Sequence, residues 1–81
     1  MPEPRKLVPL DYRTLIRIFE RAGFTVARHK GDHISMTKSG VMRPLVIKTS
    51  PRNVPVTHIR TNMTTAGLSR ERFFQLLDEV S

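Results

Sequence analysis

The sequence predicts a single small α+β domain in which a three-stranded antiparallel sheet carries helices on one face. Apolar residues recur at three- and four-residue steps in three segments, which indicates three amphipathic helices. Short segments of alternating apolar and polar residues lie between the first two of them, and glycines mark the joints. The chain has 81 residues and no cysteine, so its core is small and no disulfide supplements it.

The first element is a helix predicted over residues 11–22. Before it, residues 1–9 contain three prolines and no periodicity, so we expect a flexible tail followed by one domain over residues 10–81. Asp11 is of a residue type that favours the N-cap, and Gly23 fits the left-handed position after the last turn. The predicted apolar face consists of Tyr12, Leu15, Ile16, Phe19 and Ala22.

A hairpin follows, with strands predicted over residues 24–30 and 34–37. Gly31 can adopt the positive φ that a tight turn requires. Alternation predicts two inward pairs, Phe24 with Val26 and Ile34 with Met36. His33 falls on the opposite, polar face, which the predicted helices leave open to solvent.

The second half of the chain predicts a third strand and two helices. The strand covers residues 41–48, where Pro44 favours an edge position, although residues 45–47 do not alternate and their faces stay unassigned. Residues 49–55 form a polar loop. Three methionines are predicted to fill the core: Met36, Met42 and Met63. The apolar faces are Val56, Ile59, Met63 and Ala66 in the second helix, closed by Gly67, and Phe73, Leu76, Leu77 and Val80 in the third, capped by Ser69.

The charge of the chain favours a polyanionic partner. Fourteen Lys and Arg against seven Asp and Glu give a formal charge of +7, and nucleic acid is the leading partner class for such a surface. A solvated basic surface and an acidic protein partner are the alternatives. No apolar run has the roughly 18 residues of a membrane helix, and no apolar signal region follows the start, so we expect no membrane contact and a cytoplasmic location. The predicted cationic surface consists of Arg28, Lys30, Lys38, Arg43, Lys48 and Arg52.

The histidines are the candidate catalytic residues. His33 closes the turn sequence Arg28-His29-Lys30-Gly31-Asp32-His33. Imidazole titrates near neutral pH and can therefore move a proton beside a phosphate. The spacing of the three histidines and the absence of cysteine and of clustered carboxylates indicate no metal site and no cofactor. His58, in the first turn of the second helix, is expected to be structural or exposed.

An ordered set of short motifs resembles the HicA family of small toxins. The motifs are Ala22-Gly23-Phe24, the turn sequence that ends at His33, and Ala66-Gly67-Leu68-Ser69 followed by Phe73 and Leu76-Leu77. The resemblance implies a fold like that of the double-stranded RNA-binding domain, mRNA interferase activity and a HicB-type antitoxin as partner. It also implies that His33 is catalytic. The chain differs from the family pattern in having Asp32 where the family has serine, and Thr49-Ser50-Pro51 where many members have a proline and a second histidine.

The resulting hypothesis is a metal-independent endoribonuclease that cleaves mRNA. His33 would act as general base on a ribose 2′-OH or as general acid on the leaving 5′ oxygen, and Arg28 and Lys30 would hold the phosphate. The predicted RNA-binding residues are Arg28, His29, Lys30, Gly31 and Lys48. Two alternatives remain open: an RNA-binding module without chemistry, and a DNA-binding protein whose recognition helix presents Arg60, Thr61 and Thr64. We expect the antitoxin to cover the His33 face with an acidic surface.

Overall fold

Five strands and three helices make up the computed structural model, which describes residues 5–81. The strands and helices are β1 (Leu10–Asp11), α1 (Tyr12–Arg21), β2 (Thr25–Lys30), β3 (His33–Thr37), β4 (Leu45–Lys48), β5 (Asn53–Val54), α2 (Val56–Ala66) and α3 (Arg70–Val80). Within residues 5–81 no helix is long and apolar enough to cross a membrane.

The main sheet is antiparallel, with the strand order β2-β3-β4. A separate two-stranded ribbon pairs β1 with β5, so that Leu10 faces Val54. The predicted α+β class is confirmed, as is a three-stranded antiparallel sheet in an order like that of a double-stranded RNA-binding domain. The ribbon was not predicted, because strands of two residues are too short to show a periodicity.

The helices cover one face of the sheet and leave the other open. Ile34, Met36, Leu45 and Ile47 are buried on the covered face. Val46 and Lys48 are exposed on the opposite face. Buried and exposed side chains therefore alternate along β4, although residues 45–47 are all apolar in the sequence. The helices contribute a second set of buried side chains, which consists of Leu15, Ile18, Phe19, Ile59, Met63, Phe73 and Leu76. We use the term open face for the side of the sheet that carries His33, Ser35, Val46 and Lys48.

Two predicted core residues are not in the core. Met42 is 99% exposed, because it lies in the β3–β4 connection and not in a strand. Val26 faces the buried Met36 across the β2–β3 ladder, yet it is 47% exposed. Every residue of β2 is exposed, since this strand forms an edge of the sheet that the helices do not cover.

The predicted N-terminal tail lies partly outside the described residues, namely at positions 1–4. Residues 5–9 contain no helix or strand. The Arg5 guanidinium nonetheless pairs with the Asp78 carboxylate at 2.8 Å and lies 4.6 Å from the centre of the Phe74 ring. Arg5 therefore contacts the last helix, and the flexible tail stays a prediction.

Asp11 joins three parts of the fold at the start of α1. As the N-cap, its carboxylate accepts a hydrogen bond from the Arg13 backbone N–H at 2.9 Å. It also accepts bonds from the guanidinium groups of Arg13 and Arg52, and Arg52 lies just before β5. The side-chain and backbone hydrogen bonds from Arg13, the charge of its guanidinium and a hydrogen bond from Arg52 hold the pKa of Asp11 well below its ordinary value of 3.8.

This lowered pKa predicts that Asp11 makes the fold sensitive to acid. The Asp11 carboxyl binds its proton more tightly in the unfolded chain than in the folded one. The ionised carboxylate therefore stabilises the fold at pH values above the pKa of Asp11 in the unfolded chain. This stabilisation is lost as the pH falls toward the lower pKa of Asp11 in the folded protein. We expect Asp11→Asn to have a lower urea midpoint of unfolding than the wild type at pH 7. The difference between the two midpoints should become smaller as the pH falls below about 4. Glu20→Gln, which alters an exposed carboxylate of the same helix, is the matched control. A constant gap between wild type and Asp11→Asn across this range would contradict the prediction.

Candidate functional site

His33 stands in the middle of a row of three side chains that crosses the sheet. It is the first residue of β3, directly after the Gly31-Asp32 turn. Lys30 of β2 is its partner on one side and Lys48 of β4 on the other. Directly opposed residues of an antiparallel sheet point to the same face, with Cβ atoms about 5 Å apart. The imidazole therefore lies between two lysines on the open face.

The turn that precedes β3 also orients His33. The Nδ1 atom of His33 lies 2.9 Å from a carboxylate oxygen of Asp32, and both side chains are about half exposed, 47% and 52%. Nδ1 thus faces the carboxylate, and Nε2 is the ring nitrogen left for a ligand. The Asp32 carbonyl in turn accepts the N–H of Thr49 at 2.8 Å, which ties the turn to the end of β4.

Two grooves meet at His33. The sheet groove, of about 490 Å³, runs over the open face and is lined by Arg28, Lys30, Gly31, Asp32, His33, Ser35 and Val46. The helix groove, of about 250 Å³, lies between β4 and α2 and is lined by His33, Pro44, Val46, Lys48, His58, Thr61, Asn62 and Thr65. His33 and Val46 line both grooves, so the two grooves adjoin at the imidazole.

Asn62 fixes α2 against the free edge of β4. It is the buried polar residue of the described chain, at 5% exposure, and its Nδ2 donates a hydrogen bond to the Val46 carbonyl at 3.2 Å. This bond satisfies an edge carbonyl that no further strand covers. Positions 58, 61, 62 and 65 share one face of a helix because they follow three- and four-residue steps. His58 is thereby placed at the helix groove.

Most of the predicted binding residues lie around His33. Arg28, Lys30 and Gly31 line the sheet groove, and Lys48 lines the helix groove. His29 does not join them, because it pairs with the buried Ile34 and belongs to the opposite face. Its assignment to RNA binding stays a prediction that this placement does not favour.

Two cations of the predicted basic surface have structural contacts instead. The Lys38 ammonium donates a hydrogen bond to the Ala22 carbonyl at 2.8 Å and lies 5.7 Å from the centre of the Phe24 ring. Arg52 binds Asp11. Neither lines the two grooves that meet at His33.

The site contains one residue that the sequence did not assign to it, His58. The prediction that it is exposed is confirmed, but it also lines the helix groove together with His33. A signal was present in the sequence: Asn62 is a polar residue that lies one turn after His58, beside the apolar Ile59 and Met63. In the structure Asn62 is buried and hydrogen-bonded to β4, so this amide beside the apolar stripe marks where the helix docks.

The chemistry of these side chains is that of proton transfer beside an anion. The helix groove offers two imidazoles and one ammonium, and the sheet groove adds two further cations. Imidazole can give or take a proton near neutral pH, and ammonium and guanidinium groups stabilise a phosphate. Over residues 5–81 there is no cluster of three or more His, Cys, Asp or Glu that could hold a metal ion.

Comparison with known proteins identifies the family of the chain. None of the curated proteins compared with the chain matches it. A family model described as the HicA toxin of bacterial toxin-antitoxin systems matches residues 12–68, which extend from the start of α1 to just beyond α2 and include every residue of the two grooves. The match covers more than half of the chain, so the protein is a toxin with a cognate antitoxin. The chain belongs to the HicA toxin family.

Proposed function

We propose that this toxin is a metal-independent endoribonuclease that cleaves mRNA with His33 as a proton-transfer residue. The observation that supports this most is the row Lys30, His33, Lys48, in which an imidazole stands between two cations on an open sheet face. A ribose 2′-OH is the nucleophile already present in RNA, so the protein needs to supply only proton transfer and charge stabilisation.

The orientation of His33 favours the role of general base. Nδ1 faces the Asp32 carboxylate, so a neutral imidazole with its proton on Nδ1 would present the lone pair of Nε2 to the substrate. In the proposed step Nε2 takes the proton of the 2′-OH, the 2′ oxygen attacks the adjacent phosphorus, and the bond between phosphorus and the 5′ oxygen breaks. The leaving 5′ oxygen takes a proton from an acid or from water, and the products are a 2′,3′-cyclic phosphate and a 5′-OH end. Lys30 and Lys48 stabilise the negative charge that develops on the phosphate oxygens.

The protein partner in this proposal is a HicB-type antitoxin that covers the open face. The formal charge of +7 favours an acidic partner surface, which would exclude RNA from the same cations. An antitoxin placed over His33 would block the proposed chemistry directly.

A second candidate function is RNA binding without cleavage. The observation that favours it is Asp32, whose carboxylate is 52% exposed and lines the sheet groove next to His33. A negative charge there repels the phosphate that must approach for catalysis. In this alternative His33 makes only a contact with the ribose or the phosphate.

The fragments that the purified protein makes from RNA distinguish the two functions. With single-stranded RNA in the presence of a chelator, we expect fragments that carry 5′-OH ends and 2′,3′-cyclic phosphates, and no cleavage of DNA of the same sequence. The restriction to RNA follows because DNA has no 2′-OH. Intact RNA that stays bound to the protein would favour the binding module, and cleavage only after addition of a divalent ion would contradict the metal-independent mechanism.

A further inference from the structure

We infer that His58 is the second proton-transfer residue of this site and acts as the general acid that protonates the leaving 5′ oxygen. This inference rests on the proposed ribonuclease function and assigns the step that His33 leaves open. Its basis is that two histidines from distant parts of the chain, one in β3 and one in α2, line the same groove of about 250 Å³ with Lys48.

The helix groove has a size suited to one phosphodiester. Its volume is slightly below that of pockets for drug-sized ligands, which begin at about 300 Å³. A phosphate and part of its ribose fit such a space, whereas a folded RNA helix does not. A phosphate bound in this groove would border both imidazoles, so one of them could take a proton and the other could give one.

The charges of the two grooves indicate which one takes the scissile phosphate. The titratable groups that line the helix groove are His33, Lys48 and His58, with no carboxylate among its residues in the described chain. Asp32 lines the sheet groove and binds the Nδ1 side of His33. A phosphate in the helix groove thus avoids the Asp32 carboxylate, and the rest of the RNA strand can follow Arg28 and Lys30 along the sheet groove.

The support of His58 is rigid enough for a catalytic role. The imidazole is carried by the first turn of α2, where the next residue, Ile59, is fully buried. One turn further on, Asn62 is bonded to the Val46 carbonyl of β4. Groups that react must be held within a few tenths of an ångström, and helices fix side chains better than loops do.

These two residues account for every proton that moves in the cleavage step. Neutral His33 receives the 2′-OH proton at Nε2, the 2′ oxygen bonds to phosphorus, and the bond from phosphorus to the 5′ oxygen breaks. The 5′ oxygen leaves with a proton from the His58 imidazolium. His33 ends protonated and His58 neutral, and exchange with water restores both without any further reactant.

A change of leaving group tests the assignment. A substrate with sulfur in place of the bridging 5′ oxygen leaves as a thiolate and needs no proton. We expect His58→Ala to lower cleavage of the oxygen substrate by about a hundredfold or more and to cleave the sulfur substrate at nearly the wild-type rate. His33→Ala should be impaired on both substrates. His58→Gln, which keeps a polar side chain of similar length, should behave like His58→Ala. Thr57→Ala, which alters an exposed residue of the same helical turn that lines neither groove, is the control.

The pH dependence provides a second readout that a merely structural role would not change. The wild type should show a bell-shaped profile of kcat/KM, since one imidazole must be neutral and the other protonated. His58→Ala should lose the fall in rate on the alkaline side, while the other titratable groups stay in place, namely Lys48 and His33 in the helix groove and Asp32 in the sheet groove.

The outcomes separate this inference from the function on which it rests. Wild-type rates of His58→Ala on the oxygen substrate, together with an inactive His33→Ala, would overturn the role of His58 and leave the ribonuclease in place. An equal loss on both substrates would also overturn it, because His58 would then position or support the site. A wild-type protein that cleaves neither substrate would overturn both proposals.

Discussion

Replacement of His33 by alanine is expected to slow RNA cleavage by about a hundred- to ten-thousand-fold, the contribution of a positioned general base. The affinity for RNA should change little, because Arg28, Lys30 and Lys48 remain and contribute the long-range charge. Single-turnover cleavage and equilibrium binding to an RNA that cannot be cleaved, which lacks the 2′-OH at the scissile position, measure the two quantities separately.

His29→Ala is the control for this experiment. It removes an imidazole from the same hairpin, but from the opposite face, where His29 pairs with Ile34. Its cleavage rate should equal that of the wild type. A His33→Ala protein that cleaves as fast as His29→Ala would show that His33 has no part in the chemistry, and a loss of binding equal to the loss of rate would favour the module without catalysis.

Removal of the Lys48 ammonium is expected to have the second largest effect. Lys48 is the cation that faces His33 across β3 and β4 and lines the helix groove. A fixed positive charge beside the developing charge of the transition state is worth about a hundred- to a thousand-fold in kcat. We therefore expect Lys48→Ala to lower kcat by about this factor, more than it raises KM.

Arg43→Ala is the matched control for Lys48→Ala. Arg43 is exposed and lines neither groove, yet its removal lowers the net charge by the same single unit. Both variants should weaken the salt dependence of RNA binding by a similar small amount, since each removes one cation from the field of the protein. Equal losses of kcat in the two variants would mean that Lys48 acts only through the overall charge.

The position of His33 was predictable from the sequence because it depends on local structure. A glycine in a tight turn and the alternation of Ile34 and Met36 place His33 on the polar face without knowledge of any distant contact. The exposure of Val26 was not predictable in the same way. Val26 lies opposite the buried Met36, but β2 is an edge strand that the helices do not cover, and alternation along a strand does not state which strands of the sheet the helices reach.

The placement of His58 beside His33 depends on tertiary structure. Its place in the site follows from how α2 docks against β4, which the hydrogen bond between Asn62 and Val46 fixes across 16 positions of the chain. Periodicity describes which residues share a helix face, but it does not state which strand that face meets. The exposure of Met42 has a similar origin, since an apolar residue is buried only if its segment packs against the core.

The most direct test of the central claim is induced expression of this chain in a bacterium, with new 5′ ends mapped across the mRNA. A metal-independent ribonuclease toxin predicts growth arrest and new 5′-OH ends with the wild type, and neither with His33→Ala at the same protein level. Normal growth and intact mRNA with folded wild-type protein, or arrest and cleavage that persist in His33→Ala, would contradict a toxin that cleaves mRNA through His33.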